Sequence, residues 1–268
     1  MINFRPKLMK KLIVVFLLIT CIAQARAQVK WPNHKKAVIV LTYDDGLYSQ
    51  LNVAIPQLDS AGFRATFFLT GDLNYETIPK WRAASKKGYE LANHTIYHPC
   101  ISTEENPVGS QHYTPKLMLE EISVMNNFLF AVDGKTSHTY AYPCTETSVG
   151  GKNYVDSLRR SGLVRYARIG GDKDAVITDF KTLDPLLVPS YGLDGSITAD
   201  QLIAYVKNVR KKGGMGVLMF HGVGGDYITT PSQTHKKLID YLEKNRKDIW
   251  VTTFAQAMDY ISKTANNK

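Results

Sequence analysis

Cysteine is scarce in this chain of 268 residues, with three copies, and tryptophan is equally rare. So few cysteines exclude a disulfide-dense mini-protein and a zinc site built from four thiolates. Long apolar runs are missing too. The longest, Leu12 to Ala23, has twelve residues, short of the ~20 that a membrane-spanning helix needs. There is no Pro/Ser-rich linker and no internal repeat, so nothing marks a boundary between domains. At about 100–200 residues per domain the length allows one large domain or two small ones, and we expect one. With 44% hydrophobic and 21% charged side chains the composition is that of a globular protein, not of a disordered tail or a collagen-like fibre.

Acidic residues are absent from the first 27 positions, which hold Arg5, Lys7, Lys10, Lys11 and Arg26. The basic cluster, the apolar run behind it and the small residues of Ala25-Arg26-Ala27 before Gln28 have the layout of a secretory signal peptide. We therefore expect a signal peptide at 1–27, a mature domain at 28–268, and export to the periplasm or the extracellular space. The alternatives are a retained N-terminal anchor or a lipoprotein modified at Cys21; Thr20 is larger than the residue usual before a lipidated cysteine. The charge argument changes with the signal. Five of the 33 basic residues lie in it, leaving 28 against 24 acidic and a net +4 in place of +9. That removes most of the case for a nucleic-acid partner, and no membrane span is expected after processing. Of the cysteines only Cys100 and Cys144 remain, a pair that an oxidising compartment allows either to bridge or to stay free.

Short apolar runs alternate with segments of helical spacing. Strands are expected at Ala37–Thr42, Ala65–Thr70, Tyr89–Asn93, Thr139–Tyr142, Val164–Ile169, Leu186–Val188, Gly216–Phe220 and Ile249–Thr253. Helices are expected at 51–61, 78–87, 115–130, 154–161, 202–212, 234–245 and 254–261, the third with Leu117, Leu119, Ile122, Met125 and Leu129 inward. Such alternation predicts parallel strands with helices outside, as an α/β barrel or a doubly wound sheet. Residues 99–113 show no clear element and make a candidate substrate loop.

Polar residues cluster at expected strand ends, where α/β barrels carry their chemistry. Asp44 and Asp45 follow the first strand, and His94 and His98 the third. Pro143-Cys144 follow the fourth, Arg168 ends the fifth, and His221 follows Phe220. Each has a plainer reading: Asp45-Gly46 is a common turn pair, and His221 alone is a hydrogen-bonded strand-end histidine. Two adjacent carboxylates, however, repel unless a cation or a shared proton intervenes. His94 and His98, four apart, are spaced to share a metal from one helical turn. His34, His112 and His235 are read as exposed, and His138 as starting a strand.

Together these residues resemble a family. Thr42-Tyr43-Asp44-Asp45-Gly46 is similar to the first motif of the polysaccharide deacetylases, carbohydrate esterase family four. His94-Thr95-Ile96-Tyr97-His98-Pro99 resembles their second motif and Leu218-Met219-Phe220-His221 their fifth, in the family's order and spacing from Ala37 to about Ile261. The resemblance implies a distorted seven-stranded (β/α) barrel in a single domain. It implies one divalent cation held by Asp45, His94 and His98, with Asp44 as general base and His221 as general acid. The chemistry is consistent: three protein ligands leave room for water and substrate, a cation lowers the pKa of that water, and an imidazole can protonate the leaving atom. His₂Asp suits Zn²⁺, with Co²⁺, Ni²⁺ and Fe²⁺ as alternatives.

The chain departs from the family at its third motif, where Arg-Pro-Pro-Tyr is replaced by Ala141-Tyr142-Pro143-Cys144, so the Arg that orients the base is missing. The Cys144 backbone N–H can still serve an oxyanion, with Pro143 and Tyr142 lining the site, and Arg168 is a candidate substitute for the guanidinium. The fourth motif is not recognisable. Cys100 and Cys144 each follow a proline beside a motif, so a disulfide between them is one expectation and two packed free thiols the other. The function expected is an exported metal-dependent hydrolase that removes N- or O-linked acetyl groups from a glycan. A non-catalytic carbohydrate-binding barrel and an amidohydrolase of a small non-sugar C–N bond are the alternatives.

Overall fold

The computed structural model describes residues 29–102 and 109–266; the expected signal peptide, Cys21 and residues 103–108 of the expected loop lie outside the described residues. The strands are β1 (Ala37–Asp44), β2 (Thr66–Leu69), β3 (Glu90–Asn93), β4 (Tyr140–Ala141), β5 (Ser148–Val149), β6 (Lys152–Asn153), β7 (Ala167–Arg168), β8 (Val176–Ile177), β9 (Tyr191–Gly192), β10 (Met215–Phe220) and β11 (Ile249–Thr252). The helices are α1 (Ile55–Ser60), α2 (Ile78–Lys86), α3 (Pro115–Asp133), α4 (Val155–Ser161), α5 (Ala199–Lys212), α6 (Ser232–Lys244) and α7 (Phe254–Asn266).

Parallel pairing runs β7-β4-β3-β2-β1-β10. The 188–192 segment completes the ring: Val188 bridges Arg168 of β7, and Tyr191 of β9 pairs with Leu218 of β10. This is the expected single α/β domain with a curled sheet of seven strands. Its distortion has a local cause. β2 meets β1 only from Thr42 onward, and β11 covers the same edge of β1 from Ala37 to Val40. Two features depart from a purely parallel reading: β8 adds antiparallel to β10, and β5 and β6 form a separate small antiparallel pair.

Every residue of β1 is buried. Its alternation assigns two faces: Ile39, Leu41 and Tyr43 pack outward under the helices, while Val38 and Val40 point inward with Phe68, Ala92, Ala141 and Val217. The barrel floor is sealed by Glu90, whose carboxylate accepts from Thr66 and Thr139 hydroxyls at 2.7 and 2.6 Å and from the Ala255 N–H in the first turn of α7 at 2.9 Å. The long helices start and stop where the sequence signals it. Thr114 caps α3 ahead of Pro115, and Gly134 ends it in the left-handed region at φ 74°. Thr198 and Gln201 form a capping box on α5.

Three expectations need correction. On α3 the inward residue of the first turn is Met118, whereas Leu117 is 41% exposed. His138 precedes the strand and pairs with Asp133 at 3.2 Å. His235, expected at the surface, is fully buried on α6 between the Tyr43 hydroxyl and Gln57 Oε1, each at 2.6 Å.

Burial pushes the His235 imidazole down to about 3, against about 6.5 in an unfolded chain. As pH falls, the unfolded chain takes the proton first. The stability is therefore complete above about pH 6.5 and drains toward pH 3, at up to about 1.4 kcal/mol per pH unit. Denaturant midpoints followed through that window should fall with pH, and the slope should flatten in His235→Gln. An unchanged slope in the variant contradicts this assignment.

Candidate active site

At the C-terminal rim of the barrel, β1 delivers Asp44 and Asp45 to one place. Asp44 falls on the inward face by strand alternation. Asp45 would point outward if the strand continued, but its φ of 79° turns it back toward the same space. The Asp45 N–H still donates to Phe68 O at 2.8 Å, so β2 holds the turn in place. Such a conformation in a non-glycine residue is uncommon and marks functional turns.

The two histidines are brought together by a different device from the one expected. Residues 94–98 do not form a helical turn; Thr95 and His98 both adopt positive φ, at 66° and 49°. Asn93 Oδ1 accepts from Thr95 N–H and Thr95 Oγ1 from His98 N–H, folding the segment back on itself. The Nε2 atoms of His94 and His98 end 3.1 Å apart. His94 Nδ1 lies 2.8 Å from the Ala141 carbonyl, so with its proton there the Nε2 lone pair faces the site.

Asp45 completes the group. Its Oδ1 is 3.5 Å from His94 Nε2 and 3.6 Å from His98 Nε2. This oxygen is buried and has no hydrogen-bond partner among the described residues. A buried carboxylate oxygen left unpaired costs about 1–3 kcal/mol or more, and here it faces the Nε2 atoms of two imidazoles. Burial and the adjacent His94 hold His98 down at about 4, keeping it in the neutral form a metal requires. The donor set, three convergent atoms of N, N and O type, fits a divalent transition-metal ion. A second convergent group, His98 with Cys100 and Cys144, does not, because its sulfurs are joined in a disulfide.

Arg168, at the end of β7, reaches Asp44. Its Nη2 meets Asp44 Oδ2 at 2.5 Å, both side chains being almost fully buried. It is braced by the Phe68 ring, 5.0 Å from the guanidinium carbon, by Ser190 Oγ at 3.3 Å and by Met219 Sδ. Burial pushes the Asp44 carboxyl up, but Arg168, His94 and His221 outweigh it and hold it below the usual carboxylate range. Asp44 Oδ1 remains buried and unpaired. His221 stands across the site, its Nε2 3.9 Å from Asp45 Oδ2.

Of the other residues expected at the site, Pro143 and Cys144 form a tight turn at the end of β4, with Cys144 at φ 48°. Tyr142 does not line the site. Ala141 takes the inward position, so Tyr142 turns outward and packs against Tyr140 and Tyr154. Cys100 and Cys144 are bridged, with Cα atoms 5.8 Å apart. The bridge ties the second-motif turn to the end of β4, and Cys100 Sγ sits 3.5 Å from His98 Nδ1.

Two contributors had no signal in the sequence. Gln50 Nε2 donates to the backbone carbonyls of Asp44 and His221 at 2.5 and 3.1 Å, fixing the ends of β1 and β10 to each other. The Tyr227 hydroxyl donates to Asp45 Oδ2 at 2.7 Å. The contacts to His221 and Asp45 are long-range, and neither Gln50 nor Tyr227 lies in a recognised motif.

The polysaccharide deacetylase family model matches residues 32–162. Over those residues the chain is similar to the polysaccharide deacetylases. Among solved structures it is similar to the peptidoglycan deacetylase PdaC of Bacillus subtilis, with 19% identity, TM-score 0.59, and coverage of 88% of this chain and 96% of that one. A family 4 acetyl xylan esterase from Clostridium thermocellum, in complex with a cobalt ion, gives 21%, 0.52, 82% and 89%. The catalytic domain of a peptidoglycan N-acetylglucosamine deacetylase from Eubacterium rectale gives 16%, 0.54, 82% and 90%. At these identities the likeness extends to the fold. No curated protein matches the chain.

The bridge leaves no free thiol in residues 28–268. Unfolded without reductant, that chain should show no thiol reactive toward a titrant, and two after reduction. Two reactive thiols before reduction would exclude the pairing.

Proposed function

We propose that this protein is an exported, metal-dependent carbohydrate deacetylase, hydrolysing N- or O-linked acetyl groups on a polysaccharide or oligosaccharide. The observation that carries the reading is the convergence of Asp45 Oδ1, His94 Nε2 and His98 Nε2 beside a second carboxylate that Arg168 keeps ionised. Export rests on the sequence of residues 1–27. Among the described residues no helix is long and apolar enough to cross a membrane.

Asp45, His94 and His98 would hold a divalent cation, for which Zn²⁺ suits the donors and Co²⁺, Ni²⁺ or Fe²⁺ are alternatives. Bound there, it would supply Lewis-acid chemistry, polarising an acetyl carbonyl and acidifying a water.

The chain's own groups divide the proton work. Asp44 has one oxygen pinned by Arg168 and the other free, so Oδ1 is the atom that accepts a proton from the attacking water. Arg168 fixes the orientation of that carboxylate and keeps it charged until it acts. His221 lies on the opposite side, where its imidazole gives a proton to the departing amine or alkoxide oxygen. The Cys144 backbone N–H, at the turn after β4, is the candidate donor to the oxyanion. An acetylated glycan is the substrate class this arrangement serves.

Acetate release from a panel of N- and O-acetylated oligosaccharides, with and without chelator, tests the reading. Release from at least one glycan, abolished by chelation and restored by a divalent metal, is expected. Absence of release from every glycan by metal-loaded protein, or release indifferent to chelator, would contradict it.

A further inference from the structure

Asp45 carries one carboxylate oxygen without a protein partner and one with a strong partner, and the two are not interchangeable. Oδ1 faces the paired imidazoles at 3.5 and 3.6 Å. Oδ2 accepts a hydrogen bond from Tyr227 at 2.7 Å. We propose that Tyr227 is the positioning residue of the metal centre: it occupies Oδ2, directs Oδ1 at the histidines, and so makes Asp45 a one-oxygen ligand. The proposal rests on the metal-site reading above.

The surroundings of Tyr227 are organised for this. It sits at the tip of the 221–230 loop after β10, and the loop is internally tied. Thr230 N–H donates to Gly222 O, Gly222 N–H to Tyr227 O, and Gly225 N–H to Thr229 Oγ1, at 2.9, 3.2 and 3.1 Å. Asp226 Oδ2 accepts from the Ser49 N–H at 2.7 Å, and Ser49 Oγ from the Val223 N–H at 3.0 Å, so the loop is docked onto the segment that follows Asp45. Asp226 and Ile228, on either side of Tyr227, both take positive φ, at 61° and 43°. Backbone strain thus flanks Tyr227 on both sides, as is common at functional sites. Tyr227 is nevertheless 53% exposed, so core packing does not account for that strain.

Asp45 Oδ2 has a second neighbour. His221 Nε2 is only 3.9 Å from the same Oδ2. Tyr227, at 2.7 Å, is the closer partner of that oxygen and the one within hydrogen-bond distance. Carboxylate ligands are commonly held by such a partner, and removing it typically weakens metal binding about 10–100-fold.

The test uses residues 28–268 stripped of metal and titrated with Co²⁺, comparing wild type, Tyr227→Phe and Tyr48→Phe. Tyr48 is a control from the same rim whose hydroxyl contacts Glu76 and Asn74, each at 3.4 Å, and not the site. Tyr227→Phe keeps the ring, and a cooperative thermal transition of the metal-free variant shows that it folds. It should weaken Co²⁺ binding about 10–100-fold and alter the visible spectrum of the bound ion, because Asp45 becomes free to chelate through both oxygens. Tyr48→Phe should do neither. Wild-type affinity and spectrum in Tyr227→Phe would overturn the proposal while leaving the metal site intact. Failure of the wild type to bind Co²⁺ at all would instead remove the metal reading on which it rests. If Tyr227→Phe does not fold, Asp226→Asn, which weakens the loop's dock on Ser49, provides the second measurement: weaker Co²⁺ binding supports the proposal and unchanged binding contradicts it.

Discussion

Two carboxylates on consecutive residues, at the end of a strand buried along its whole length, set the problem that the rest of this site solves. In an extended strand Asp44 and Asp45 would face opposite ways. The positive φ of Asp45 brings both into one buried space, where they would repel each other and lack solvation. Each is stabilised in the same manner. One oxygen of Asp44 is taken by Arg168 and one of Asp45 by Tyr227, while the remaining oxygen of each is left unpaired. The division of labour we propose follows from the partners. A guanidinium beside Asp44 favours a carboxylate that stays charged until a proton reaches it. A neutral hydroxyl on Asp45 orients without neutralising, and leaves its charge for a cation.

The scaffold keeps these groups in register. Gln50 bonds the backbone of both Asp44 and His221, so these two residues, at the ends of strands far apart in sequence, are set by one side chain. The Cys100–Cys144 bridge ties the His94–His98 turn to the end of β4, whose Ala141 carbonyl orients His94. Below, Glu90 closes the floor with three hydrogen bonds, so the barrel is braced at the end opposite its chemistry. A site of this kind needs fixed geometry, because displacements of about 1 Å are costly in catalysis.

Much of this was legible in the sequence, and for physical reasons. Strand–helix alternation is written as apolar periodicity, so β1, β2, β3 and β10 and the helices α3 and α5 appear close to their expected bounds. Asp44, Asp45, His94, His98 and His221 stand out because polar groups directly after buried strands are costly unless used. What was not legible depends on contacts between distant segments. The turn that pairs His94 with His98 has helical spacing without helical structure, since Asn93 and Thr95 side chains supply the hydrogen bonds that a helix would have made. His235 reads as a surface residue because its partners, Tyr43 and Gln57, lie far away in the chain. Tyr142 reads as site-lining until the parity of a two-residue strand assigns the inward position to Ala141. Gln50 and Tyr227 have no local signature at all.

The central claim is that the adjacent aspartates perform different tasks, Asp45 binding and Asp44 accepting a proton. The most direct measurement is metal content and acetate turnover in Asp44→Asn and Asp45→Asn, each dialysed after loading with one divalent metal. The account predicts that Asp44→Asn retains one ion per chain and loses about 10²–10⁴-fold in turnover, the usual contribution of a general base. It predicts that Asp45→Asn loses the ion. Equal metal retention in the two variants, or near wild-type turnover in Asp44→Asn, would contradict it.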